Sequence, residues 1–217
     1  MSNKNKVYAT IGIGFLILVI LIATSTYFGL RDDPERVAEV KEQAVIYLEE
    51  HFDEEMNVVD VLHDNASIYE QFNYAAIVQP ADDPDFEFLV YQHRETGEYT
   101  DSYVAEVWED ELEAYLIPQI EERFGEDSIK ELWLTYPKDI GMRLDLSHEN
   151  VPSLEGQEAN AVIRLTLARG EEDSDEAELN ALIEDLKSEL NVDSGHITLA
   201  FSDNAFIFKD KNINESF

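Results

Sequence analysis

The side chains able to do chemistry here are five histidines and a large excess of carboxylates. The histidines are His51, His63, His93, His148 and His196. No two stand at HxxxH or HExxH spacing, so no local zinc motif exists. His63-Asp64, and His51 with Asp53, could serve only a site assembled in space; the plainer reading is surface or strand-end histidines. The acids crowd two places, Asp82-Asp83-Pro84-Asp85 and the run Glu171, Glu172, Asp173, Asp175 and Glu176. Calcium favours such oxygen donors, but the EF-hand spacing, with its glycine and terminal glutamate, is missing. The expectation for Asp82, Asp83 and Asp85 is a loop that attracts cations. Nucleophilic catalysis has no support: the chain holds no cysteine, no GxSxG and no SxxK, and a serine stands beside a histidine only at Ser147-His148. Neither a Walker A loop nor GxGxxG is present. With 48 Asp and Glu, spacing alone cannot nominate a carboxylate pair for glycoside hydrolysis. No catalytic residue, metal ligand or cofactor is therefore named, and a non-enzymatic role is expected.

Aromatic residues are the better lead. Tyr91, Tyr99, Tyr103, Trp108 and Tyr115 gather around one strand-like run and the helix after it, mostly as core. Within EYTDSY (98–103), Tyr99 and Tyr103 are the expected protein-contact pair, since tyrosine is a favoured interface anchor.

Charge narrows the partners. Across 217 residues, 15 Lys and Arg face 48 Asp and Glu, for a net charge of −33. Nucleic acid is excluded as a sequence-independent ligand, because that binding runs on cationic side chains neutralising phosphates. An anionic membrane surface repels the chain for the same reason. The excess reads either as a solvated surface suited to salt or as a docking surface for cations or a basic partner. Without cysteine there are no disulfides and no thiolate metal sites.

The elements that must position these groups follow from periodicity. Val7 to Leu30 carries no charge and, as a helix, spans about 36 Å, enough for a hydrocarbon core of about 30 Å. It is expected to be a retained transmembrane helix, with residues 1–6 (Lys4, Lys6) as a cytoplasmic tail and the remainder outside the cell membrane; the alternative is a signal peptide cleaved after Ala23-Thr24-Ser25. Asp33-Pro34 then starts an amphipathic helix with Val37, Val40, Ala44, Val45, Leu48 and Phe52 on one side. Strands are expected at 57–62, 73–79 and 86–93, joined by short turn-rich links as an antiparallel meander. A helix over 100–124 follows, broken or kinked at Ile117 by Pro118, then a strand at 132–136. Further on, 142–146 and 161–168 alternate as strands, 177–190 is helical, and 196–201 with 205–208 reads as a hairpin before a frayed end.

The fold class is thus α+β: a transmembrane helix followed by antiparallel sheets packed with about three helices. Two subdomains are expected, 31–137 and 138–217, joined near Pro137 to Gly141. The element order of the first half resembles a cystatin-like arrangement. The layout, together with FEFLVYQHRETGEYTDSYVAEVW, resembles single-span membrane-anchored exported proteins of Gram-positive bacteria. That resemblance implies an extracytoplasmic protein-interaction domain whose partner is an envelope or secreted protein. The alternatives are an envelope hydrolase built from dispersed acids and a histidine, or a cation-responsive module.

Overall fold

A computed structural model of the chain describes residues 33–157, 159–202 and 212–217. The first helix, α1 (Pro34–His51), begins where the sequence requires: the Asp33 side chain accepts the Glu35 N–H at 3.0 Å, and proline occupies the first turn. Its stripe of Val40, Ala44 and Leu48 is buried, whereas Val45 faces outward at 44% exposure. The stripe lies on an antiparallel sheet in the order β1 (Met56–His63), β2 (Tyr74–Pro80), β3 (Phe88–Gln92) and β4 (Tyr99–Asp101). Ala76, Val78, Phe88 and Val90 close this core from the sheet side. Phe72, Ala75, Leu89 and Tyr91 form a smaller cluster; because strand side chains alternate, both faces of this sheet bury apolar groups.

The long helix α2 (Tyr103–Phe124) comes next, then β5 (Ile129–Thr135), the short helix α3 (Ile140–Leu144), β6 (Ala161–Leu167), α4 (Asp175–Glu189), β7 (Gly195–Phe201) and β8 (Ile213–Ser216). The second sheet runs β5-β6-β7-β8. Its largest core joins Trp108, Leu112, Leu116 and Ile120 of α2 to Ile163 and Leu165 of β6 and to Leu179, Leu182 and Leu186 of α4.

Several expectations are corrected. The described residues hold no transmembrane helix: none of their helices is long and apolar enough to cross a membrane. The longest, α2, has 22 residues and carries Glu106, Glu109, Asp110, Glu111 and Glu113; the expected span at 7–30 lies outside the described residues. The described residues form four helices of five or more residues rather than about three. The second sheet is mixed, because β6 and β7 pair in parallel, and a parallel pair needs a crossover, which α4 supplies. Residues 142–146 do not form a strand. Most of them lie in α3, closed by Asp145 in the left-handed region at φ 55°; five alternating residues are too few to outweigh that tertiary setting. Pro118 does not break α2, which runs unbroken to a Gly125 cap at φ 107°. Leu116, Ile120 and Phe124, buried on either side of it, hold the helix together. The antiparallel partner of β7 is β8, so the end expected to fray is a strand; the expected strand at 205–208 lies outside the described residues. Ahead of the expected join near Pro137 to Gly141, β5 pairs with β6 of the second sheet, and most of the buried stripe of α2 packs in the core on that sheet.

Candidate binding cleft

Between the edge of the first sheet, the start of α2 and the turn that follows α3, a cleft of about 630 Å³ opens among four stretches of chain. Asp53 and Glu54 follow α1, and Met56 opens β1. Pro80, Asp82, Asp83 and Phe86 lie at the link from β2 to β3. Tyr103, Val107 and Asp110 project from successive turns of α2, at spacings that place them on one face. His148 and Glu149 come from a 3-10 turn, His148–Asn150. The volume falls within the range usual for ligand clefts, about 300–1,000 Å³.

The floor is aromatic. Phe86 meets Tyr103 edge-on at 5.1 Å, and Tyr103 meets Phe88 at 5.3 Å in the same manner. The His148 ring stacks on Phe52 at 4.0 Å. Tyr103, Phe86 and His148 are half-buried, so part of each ring remains open to solvent. The rim is anionic: six carboxylates line the cleft with no Lys or Arg among the lining residues. Its field registers on the neighbours. Burial first, then Glu54 and Asp83, push the Tyr103 hydroxyl above its ordinary pKa. Burial, Glu106 and Asp83 push Asp110 up.

Behind the cleft, α2 is fastened to the first sheet by buried polar groups. Ser102 accepts the Leu89 N–H at 2.8 Å and donates to Glu106 at 2.8 Å. Lys138, 6% exposed, donates to Glu106 Oε1 at 2.8 Å and to Glu109 Oε1 and Oε2 at 2.9 and 3.0 Å. The Tyr136 N–H completes Glu109 at 2.8 Å. Two carboxyls therefore share one ammonium in a mostly buried site. Burial, with Glu106 adding to it, raises Glu109 to about 7 against the pull of Lys138. Burial works against the Lys138 charge, but Glu106 and Glu109 outweigh it and raise its pKa.

A second buried set lies alongside. Asp139, 2% exposed, accepts Arg143 Nε at 2.7 Å and faces His93 Nε2 at 3.4 Å. The Thr96 N–H donates to His93 Nδ1 at 3.3 Å, which leaves Nε2 as the protonated nitrogen turned toward Asp139. In both sets the groups able to transfer protons are engaged with one another. They brace the junction, and Glu106, Glu109 and Lys138 also border a second cavity of about 360 Å³.

The structure separates the residues singled out by sequence. Asp82 and Asp83 line the cleft, and Asp85, also exposed, does not. Among the described residues no group of three His, Asp or Glu could hold a metal ion, so the loop offers no coordination sphere. Tyr103 is in the cleft floor, while Tyr99 lines a smaller cavity of about 240 Å³ with Arg36, Tyr74 and Arg94. The two tyrosines do not form one patch. Of the histidines, His148 reaches the cleft and His93 is buried. His51 stacks on Tyr47, His63 stacks on Tyr74, and His196 meets Ser216. Sequence reasoning missed Asp110, Glu149, Phe86 and Val107. Only the shared face of 103, 107 and 110 on a helix gave any local sign of them.

No family model matches the chain, and no curated protein matches it. Among solved structures, the crystal structure of a DUF5037 family protein from Ruminococcus gnavus ATCC 29149 is similar at 14% identity over 73% of each chain, with a TM-score of 0.33. A likeness that loose carries no argument about fold or function, and it says nothing of Gram-positive membrane-anchored proteins.

Proposed function

We propose that this protein is a non-catalytic recognition module that holds a segment of another protein in the cleft between its first sheet and α2. The observation that supports this reading is the contrast between two polar regions. The charged groups of the junction are paired with one another, Lys138 with Glu106 and Glu109 and Asp139 with Arg143 and His93, whereas the cleft keeps a half-open aromatic floor that no described residue covers. Aromatic side chains in a concave site, ringed by polar groups, are the usual makings of a binding hot spot.

The test is site-specific photo-crosslinking in the native cell. A benzophenone amino acid at Glu149, on the cleft rim, should capture a discrete protein. The same group at Glu122, an exposed position near the far end of α2, should not. Equal capture from both positions, or none from Glu149, refutes the reading.

A further inference from the structure

The arrangement of charge around the cleft narrows the chemistry of what it holds. The carboxylates are not gathered at a point. Asp53 and Glu54, Asp82 and Asp83, Asp110, and Glu149 come from four separate stretches around the opening, and no three acidic or histidine side chains among the described residues converge on a metal position. A point charge such as a divalent cation needs several oxygens at one centre. Charge spread around a concave, partly apolar surface complements a ligand whose own positive charges are spread along its length.

The floor supports the same conclusion. Lys and Arg carry long aliphatic stems that lie on apolar surface while their heads seek polar partners, and an ammonium or guanidinium over an aromatic face is attracted by the ring itself. Met56, Val107 and Phe86 offer the apolar surface, and Tyr103 and His148 offer the rings, directly inside the acidic rim. Among the described residues, no Lys or Arg in the lining competes for its carboxylates.

We propose, resting on the recognition reading above, that the segment held in the cleft is an extended Lys- and Arg-bearing stretch of the partner protein, its stems on the aromatic floor and its cationic heads at the rim. The net charge of −33 adds long-range attraction that speeds encounter. The cleft then supplies what net charge alone cannot, a preferred place.

The experiment is fluorescence anisotropy with the full chain and a labelled dodecapeptide alternating Lys, Arg and Leu. Its matched control carries acetyl-lysine and citrulline. The basic peptide should bind at least tenfold more tightly than the neutral one, and raising salt from about 0.05 to about 0.5 M should weaken it at least tenfold. Asp82→Asn, Asp83→Asn and Asp110→Asn together, all exposed positions whose exchange keeps side-chain shape, should lose at least tenfold. Glu42→Gln, Glu122→Gln and Glu126→Gln, an equal charge change outside the cleft, should lose less than threefold. Equal losses from the two triple variants would mean attraction to net charge only, and would overturn the proposal. Comparable binding of the neutral peptide, lost on Tyr103→Phe with Phe86→Leu, would overturn the cationic specificity while leaving the recognition reading standing. If spermine or calcium at matched charge displaces the basic peptide as effectively as the unlabelled peptide does, a segment-shaped site is refuted. If neither peptide binds and the Glu149 crosslink also fails, both readings fall together.

Discussion

Glu109→Gln is the most informative change at the junction. In the folded protein Glu109 shares Lys138 with Glu106 in a mostly buried site, and burial together with Glu106 raises its carboxyl to about 7 from an ordinary 4.5. A carboxyl whose folded pKa is raised binds its proton more tightly when folded. Its contribution is fully present below the unfolded value and is lost as pH rises through the folded value. The difference corresponds to about 3 kcal/mol, at about 1.4 kcal/mol for each tenfold change in proton affinity. Glutamine mimics the protonated form and does not titrate. It can still accept from Lys138 or from the Tyr136 N–H, although Lys138 keeps only Glu106 as a charged partner. Urea unfolding of both proteins from about pH 5 to about pH 8, at constant ionic strength, measures the effect. The stability difference, variant minus wild type, should rise across that window by about 2–3 kcal/mol in favour of the variant. The general self-repulsion of so acidic a chain is nearly common to both proteins and largely cancels. A difference that stays flat with pH would refute the shared-ammonium account of the junction.

Pro118→Ala should stabilise the protein by about 1–3 kcal/mol, because it restores a helical N–H and removes the ring from an exposed position inside α2; an unchanged melting temperature would count against this. Asp175, 1% exposed, is bound by Arg169 at 2.7 and 2.9 Å, and these bonds hold it below the ordinary aspartate value in spite of its burial. Arg169→Met should therefore cost about 3 kcal/mol in denaturant unfolding at neutral pH, and the loss should shrink at acid pH, where Asp175 is protonated. Gly195→Ala should cost about 1–3 kcal/mol, because the added carbon would sit 2.8 Å from the Phe217 ring and 3.0 Å from the Ala161 carbonyl oxygen; hydrogen exchange should show β8 loosening first.

Local pattern carried part of this architecture. The start of α1 follows from Asp33-Pro34 and a stripe at helical spacing, and β1, β2, β3 and β6 follow from short alternating or apolar runs between turn residues. These signals are read within a few residues, where backbone preference and periodicity act. The acidic excess, and its incompatibility with phosphate backbones, follows from composition alone. So does the absence of local metal and nucleophile motifs. Tyr103 and the pair Asp82-Asp83 were visible as individual residues, though not as walls of one site.

The tertiary structure decided the rest. MRLDL alternates like a strand, yet most of it lies in α3, where Ile140 and Gly141 are buried. The parallel pairing of β6 with β7 depends on where α4 packs, and the terminal strand β8 on the open edge of β7. Lys138 and Asp139 read as ordinary loop charges in sequence. Each is buried because its partners arrive from elsewhere: Glu106 and Glu109 from 32 and 29 residues upstream, and His93 from β3's end. The cleft is the extreme case, drawn from stretches near 53, 83, 107 and 148. Local sequence sets the conformation of each piece; which charges meet, and which stay open to a ligand, is set by contacts between pieces far apart in the chain.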